Sequence, residues 1–333
     1  MALMKTNLPT LTLISTGKVR DIYSTSEEDR LLFVATDRIS VFDVILKNGI
    51  PDKGKALTSI SLFWFETLKD IVPNHLVTAD IDEMPEEVRE YKTQLEGRSM
   101  LVRRAEVIPI EFIVRGYLTG SAWNEYKERD TVHGITLPRG MLESQQLPEP
   151  LVTPSTKAEQ GEHDENISPE RAGELIGTEL YVRVAYIALR LYTTAAAYAR
   201  SRGLILADTK FEFGRIPSTS DPLGEEVILI DEVLTPDSSR YWPLVGYAPG
   251  KSQPSFDKQY VRDWLVSKGY RKGLESGLGG NDEGWDIDPD VIEGTQRRYL
   301  EAEKMLKDQP IAGKIFACRF AQAWLMRSNF QQF

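Results

Sequence analysis

LILADTKFEFG (204–214) and EVILIDEV (226–233), separated by the turn-rich IPSTSDPLG, read as the two strands of one hairpin. Alternate residues of a strand share a face, so Asp208, Lys210 and Glu212 lie on one side while Phe211 and Phe213 enter the core. On the partner strand Val227, Leu229 and Asp231 share a side, and the apolar run EVILID ends abruptly in two adjacent carboxylates, Asp231 and Glu232. Charges that end a buried strand need partners. A hard, oxygen-binding cation such as Mg²⁺ is one, above all when a polyphosphate completes its octahedron. The other reading of the pattern is a solvated hairpin face on which Lys210 pairs with a carboxylate.

Working outward, the spacing Tyr181, Ala185, Ala188, Tyr192, Ala195, Ala199 predicts an amphipathic helix from Glu179 that Gly203 ends. Ser168-Pro169 predicts an N-cap with proline at the first helical position, and Gly173 and Gly177 a break. Residues 118–168 read as a polar, loop-rich connection. Before it, LTLIS (11–15), RLLFVAT (30–36), VFDVILK (41–47), SMLVRRA (99–105) and EFIVRGY (111–117) read as strands. In TSISLFWFETLK (58–69), Ile60, Phe63, Trp64 and Leu68 share a helical face. After Pro254 two more helices are expected, in SFDKQYVRDWLVSKG and, beyond a Gly-rich link at 273–284, in VIEGTQRRYLEAEKMLK. The fold class is α+β, in three regions: a β-rich lobe over 1–115, an α+β domain over 116–270, and a helical extension over 271–333 packed on the others.

A chain of 333 residues with 41% hydrophobic and 27% charged residues is an ordinary globular protein, neither disordered nor collagen-like. The net charge of −10 disfavours non-specific nucleic-acid binding, so an anionic ligand requires basic residues gathered locally. Arg183 and Arg190 interrupt the most apolar helical stretch, which excludes a membrane span there. The start MALMKTNLPTLTL lacks an export signal, and the expectation is a cytoplasmic protein. Cys318 is the only cysteine and lies in an apolar helical pattern, so it reads as a small buried hydrophobe rather than a nucleophile. His75, His133 and His163 show no metal spacing, although His163 sits in an acidic loop that ends at a helix N-terminus.

Three basic clusters meet the local requirement. STGKVRDIY (15–23) places Gly17 in a turn with Lys18 and Arg20 on one strand face, where a glycine backbone approaches a phosphate; it is neither a Walker A nor a Rossmann pattern. RRAEVIPIEFIVRGYLTGSAW (103–123) carries Arg103, Arg104 and Arg115, then Gly116, Gly120 and Ser121 in an expected loop suited to phosphate or carboxylate. LTPDSSRYW (234–242) repeats the theme with Asp237, Ser238, Ser239 and Arg240.

Taken in order and spacing, GKVRDIY, ATDRIS, RAEVIPIEFIVRGYLTGSAW, TPSTKAEQGEHDENIS, ADTKFEFG and IDEVLTPDSSRYW resemble the SAICAR synthetases, the phosphoribosylaminoimidazole-succinocarboxamide synthase family, in its longer stand-alone form. The resemblance runs from about residue 12 to 270. It implies an α+β fold whose N-terminal lobe is similar to the nucleotide-binding lobes of kinases and grasp-type ligases. It implies ligation of L-aspartate to the carboxylate of carboxyaminoimidazole ribonucleotide at the expense of ATP, with Mg²⁺. The sequence has no coiled-coil heptad, and a monomer is expected. By this resemblance Gly17, Lys18 and Arg20 cover the ATP phosphates, and Arg103 to Glu106 form the adenine-contacting hinge. Glu212 and Asp231 hold Mg²⁺, while Lys210 and Asp208 orient the transferring phosphoryl group. Arg115, Ser121, Ser239 and Arg240, with Lys258 and Arg262, bind the ribonucleotide. The loop Lys157 to Asn166 lies near the aspartate and imidazole carboxylates, with no separate role given to His163 or Asp164. Two other functions fit the same residues: a small-molecule kinase or other carboxylate–amine ligase, distinguished by whether phosphate release requires aspartate, and a non-catalytic nucleotide sensor, against which the full set Lys210, Glu212 and Asp231 argues.

Overall fold

The β-branched and aromatic runs of the first hundred residues form a five-stranded antiparallel sheet, in the order Leu13–Thr16, Arg20–Ser24, Arg30–Ala35, Ser99–Arg103, Leu76–Thr78. Alternation sorts its two faces. Leu32, Val34 and Leu101 pack beneath Val88 and Leu95, whereas Met100 and Val102 face the helix Lys53–Leu68. That helix buries Ile60, Trp64 and Leu68 as its spacing predicts, leaves Phe63 only partly buried, and buries Phe65, which the spacing did not pick out; each fully buried side chain contributes roughly 1.5–3 kcal/mol of burial. The computed structural model describes residues 1–42, 44–157, 165–219, 224–270 and 285–308. His163, Asp164, most of the Lys157–Asn166 loop, the Gly-rich link and Cys318 lie outside the described residues.

The 14-residue strand Leu204–Pro217 organises the second sheet. Its first half pairs with Ile110–Tyr117 on one side and Ser239–Pro243 on the other; its second half pairs with Glu225–Ile230 and with the short strand Glu106–Val107. Gln146–Thr156 completes the far edge against Ile110–Tyr117. The helix Thr178–Ser201 lays Val184, Ala188, Leu191 and Ala195 across this sheet. One apolar core runs from Trp64 and Met100 through Phe112, Leu206 and Phe213 to Ala302. The chain crosses from the first sheet to the second within Arg103–Glu106.

Three expectations need correction. VFDVILK is no continuous strand: two-residue strands, Ser40–Val41 and Val44–Ile45, fold back on each other around Phe42 at φ 55. The connection 118–168 is not mainly loop, because it contains the helix Gly120–Arg129 and the edge strand Gln146–Thr156. Its prolines Pro148, Pro150 and Pro154 disguised the strand, yet an edge strand tolerates residues that cannot donate to a ladder. The helical break falls at Gly177, at φ 91, while Gly173 stays inside the helix Pro169–Ile176. Ser168 caps that helix as expected, its Oγ accepting from the Arg171 N–H at 3.2 Å. Among the described residues no helix is long and apolar enough to cross a membrane.

Candidate active site

Asp208, Lys210 and Glu212 share one face of the strand Leu204–Pro217, with Phe211 and Phe213 fully buried on the other. Asp208 stands opposite Arg115 on one neighbouring strand and opposite Arg240 on the other. Its Oδ2 accepts from Arg115 Nη1 at 3.4 Å and from Arg240 Nη1. The rest of the Arg115 guanidinium is committed too, Nε to Thr153 Oγ1 at 2.9 Å and Nη2 to Ser121 Oγ at 3.3 Å. Burial draws Arg115 down to about 10 despite Asp208, which leaves it charged at neutral pH. Ser239, next to Arg240, is buried and shares a hydrogen bond with Thr209 Oγ1 at 2.7 Å.

Arg240 also occupies the space above Gly120. A Cβ there would lie 2.5 Å from Arg240 Nη2, and Gly120 has φ 60. Gly120 opens the helix Gly120–Arg129, whose N-cap Thr119 makes no side-chain cap. Asp208 is shared between Arg115 and Arg240, so one carboxylate faces two guanidiniums and the positive end of the helix, and the corner keeps an excess of positive charge. Arg115, Ser121, Arg240 and this helix start therefore form one basic corner.

Two residues along the strand, Lys210 Nζ donates to Glu111 Oε1 at 2.5 Å and to Glu212 Oε1 at 3.1 Å, and Lys157 pairs with the second Glu212 oxygen. Burial alone would push the Glu212 carboxyl up, but Lys210 and Lys157 outweigh it and hold it at about 2. Likewise burial would lower Lys210, and Glu212 with Glu111 keep it above the ordinary lysine range. Both groups are charged at neutral pH, so the carboxylate is an acceptor with no proton to give.

Ile230 faces Glu212 across the hairpin, which puts Asp231 at the next position, in the left-handed conformation at φ 65. Arg20 joins the two terminal carboxylates, pairing with Asp231 and, through Nη2 at 3.1 Å, with Glu232. The turn before Arg20 is closed by Gly17 N–H donating to Arg20 O at 2.7 Å. Arg38 fastens it from below, Nη2 to Gly17 O at 3.0 Å and Nε to Lys18 O at 3.3 Å, while pairing with Asp21 at 2.8 Å. Val19, Arg20, Phe33, Thr58, Ser61 and Glu232 line a small cavity under this turn. His75 is buried, and burial, helped by Arg20 and Arg103, lowers its pKa to about 3, so it carries no charge at neutral pH.

Three expected residues stand apart from these groups, and a fourth, Arg262, approaches the corner only through Asp257, which also acts on Arg240. Arg103 Nη2 donates to Asn74 O at 2.5 Å, and Glu106, largely exposed, pairs with Arg215. Lys258 lies 3.5 Å from Asp237 rather than in the basic corner. Arg262 acts on the buried Asp257, whose carboxyl burial raises against the pull of Arg240 and Arg262. Sequence reading missed Glu111 and Thr153. Glu111 carried a signal, since Glu111, Ile113 and Arg115 share a strand face and two charges in an apolar strand call for partners. Thr153 carried none, because its strand was read as loop.

A sequence profile of SAICAR synthetase matches residues 13–276. The chain belongs to the SAICAR synthetase family. It is 52% identical over 313 residues to the phosphoribosylaminoimidazole-succinocarboxamide synthase of Pichia angusta, covering 92% of this chain and 98% of that one. To the enzyme of the same name from Maridesulfovibrio salexigens it is 49% identical over 308 residues, again 92% of this chain and 98% of the relative. Among solved structures, SAICAR synthase from Saccharomyces cerevisiae complexed with SAICAR superimposes with a TM-score of 0.81 at 47% identity, covering 93% of this chain and all of that one. The family's activity is this chain's: it is an ATP-binding C–N ligase of de novo purine biosynthesis. The matched span contains the hairpin, the Gly17 turn and the basic corner of this chain.

Proposed function

We propose that the ribonucleotide phosphate binds in the corner made by Arg115, Ser121, Arg240 and the start of the helix Gly120–Arg129, with Ser239 beside it. The observation that carries this reading is the convergence of two guanidiniums, Arg115 and Arg240, on the single Asp208 carboxylate beside a helix start with no side-chain cap, an excess of positive charge suited to an anion. The ATP phosphates lie along the Gly17–Lys18 turn and Arg20, with the Arg103–Glu106 crossover beside the adenine. The imidazole carboxylate and aspartate then meet near Lys210, Glu212 and Lys157.

Glu212 and Asp231 suit Mg²⁺ by their chemistry: hard oxygen donors, Glu212 ionised at any physiological pH, at successive positions of one hairpin end. Among the described residues no three His, Cys, Asp or Glu side chains gather closely enough to hold a metal ion alone. That accords with Mg²⁺, which takes one or two carboxylates and completes its shell with waters and substrate phosphates. Bound there, the ion neutralises charge on the phosphates being separated.

A carboxylate does not acylate an amine at neutral pH, so activation comes first. An oxygen of the imidazole carboxylate attacks the γ-phosphorus as the bond to ADP breaks. The aspartate amine then attacks the acyl carbon, loses a proton, and phosphate leaves. Lys210, fixed between Glu111 and Glu212, keeps its positive charge over the transferring group. Arg20, paired with Asp231 and Glu232, would supply a positive charge beside the phosphate chain. In-line transfer needs this positioning and charge neutralisation, with no protein nucleophile. Calorimetric titration with SAICAR and, separately, with ADP tests the division of the site: Arg240→Ala loses SAICAR affinity and keeps ADP affinity, and equal losses for both ligands would refute the placement of the phosphate.

A further inference from the structure

The helix Pro289–Lys307 lies beyond residues 13–276 that the family profile matches, and the reaction outlined above leaves it without a task. It packs on the helix Lys53–Leu68, and at their contact three polar side chains meet in the interior. The Tyr299 hydroxyl donates to Asp237 Oδ1 at 2.6 Å, and Lys53 Nζ donates to Asp237 Oδ2 at 2.6 Å. Tyr299 and the Lys53 side chain are 0% exposed and the Asp237 side chain 2%, so no solvent competes for these bonds. The Lys53 ammonium also lies 5.7 Å from the Tyr299 ring centroid.

Asp237 heads the turn of chain that leads into the basic corner, and the residues after it carry bonds of their own. Ser238 O accepts the Lys210 N–H at 2.9 Å, Ser239 pairs with Thr209, and Arg240 pairs with Asp208. Burying a carboxylate is costly unless each oxygen is satisfied. Burial would raise the Asp237 carboxyl, yet Lys258 and Lys53 overturn this and hold it low, while burial and Asp237 keep the Tyr299 proton in place as a donor. With both oxygens fixed from two helices, Asp237 has one position, and the strand that follows inherits it.

We propose that Tyr299 is a positioning residue for ribonucleotide binding: from a helix outside the matched region it fixes Asp237, and through Asp237 the aim of Ser239 and Arg240. The inference rests on the reading of Ser239 and Arg240 as ribonucleotide ligands. Its consequence is a selective one. Losing the hydroxyl leaves Asp237 Oδ1 unsatisfied and lets the carboxylate shift toward Lys53 and Lys258, which moves the start of the Ser239–Arg240 strand and weakens ribonucleotide binding, while the Gly17 turn and the hairpin carboxylates keep ATP.

Steady-state kinetics on the full chain tests this with four variants. Tyr299→Phe raises the ribonucleotide KM roughly tenfold, the scale of one buried hydrogen bond to a charged acceptor, with the ATP KM and kcat within about twofold. Asp237→Glu keeps the charge but displaces it by one carbon and gives the same selective rise, which covers the case in which Tyr299→Phe does not fold. Ser59→Ala breaks a neighbouring bond between the same helices, Ser59 Oγ to Glu303 Oε1 at 2.5 Å, without touching Asp237, and leaves every constant unchanged. Arg240→Ala serves as the reference. A raised ribonucleotide KM in Arg240→Ala without one in Tyr299→Phe or Asp237→Glu overturns the inference and leaves the phosphate site standing. An unchanged KM in Arg240→Ala overturns the phosphate site itself. Equal losses in Tyr299→Phe and Ser59→Ala, with a lowered Tm in both, mean that the helix only stabilises the fold, and also overturn the inference.

Discussion

Arg20 and Asp231 are 211 residues apart in the chain and form an ion pair that closes the first sheet's phosphate-facing turn onto the end of the hairpin. In the function proposed, the pair sets the arginine assigned to the phosphates beside the carboxylate assigned to the metal. Their pairing keeps both groups solvated by protein in the free enzyme.

Asp231→Asn therefore removes the metal-binding charge and frees Arg20 together. Turnover falls on the order of 100-fold or more in ADP release at saturating substrates, and excess Mg²⁺ restores part of it. Wild-type turnover in this variant would withdraw Asp231 from the metal site.

Arg240→Ala truncates one partner of a buried charged hydrogen bond. The ribonucleotide KM rises about thirtyfold and the ATP KM stays within about threefold, read from initial rates with each substrate varied in turn.

Gly120→Ala tests the same corner through the backbone. The added Cβ meets the Arg240 guanidinium and sits at φ 60, so it pushes the arginine aside and strains the turn. The ribonucleotide KM rises, and chemical denaturation shows a loss of about 1–2 kcal/mol.

Glu212 gives a pH signature. Its folded pKa of about 2 is below the ordinary value of 4.5, so its ionised form contributes stability that is fully present above pH 4.5 and is lost as the pH falls from 4.5 towards 2. The shift corresponds to at most about 3 kcal/mol, reduced because Lys157 is partly exposed and screened by solvent. Urea unfolding between pH 6 and 3 shows the wild type losing stability more steeply than Glu212→Gln; parallel curves would mean that the lysines do not hold the carboxylate.

The hairpin was the most legible part of the sequence, because period-two alternation alone separates Asp208, Lys210 and Glu212 from Phe211 and Phe213. The grouping of Arg115 with Arg240 was legible only through the family resemblance, since nothing local in either segment says that both flank Asp208. Thr153 was hidden by edge-strand prolines that read as loop. The tie from Tyr299 to Asp237 spans 62 residues and joins a helical tyrosine that spacing places in a core, where a hydroxyl has no visible purpose until its partner is found. Long-range polar pairing of this kind has no period, so no pattern in one sequence announces it.

The central claim is that this chain couples ATP cleavage to amide formation between the imidazole carboxylate and aspartate. ADP release by the purified protein with ATP, Mg²⁺ and carboxyaminoimidazole ribonucleotide, with and without L-aspartate, tests it directly when SAICAR is followed in the same reaction. ADP and SAICAR rising together in equal amounts, sustained only with aspartate present, is the predicted result. Sustained ADP release without aspartate would make the protein a kinase of that substrate, and no ADP with all four components present would contradict the account.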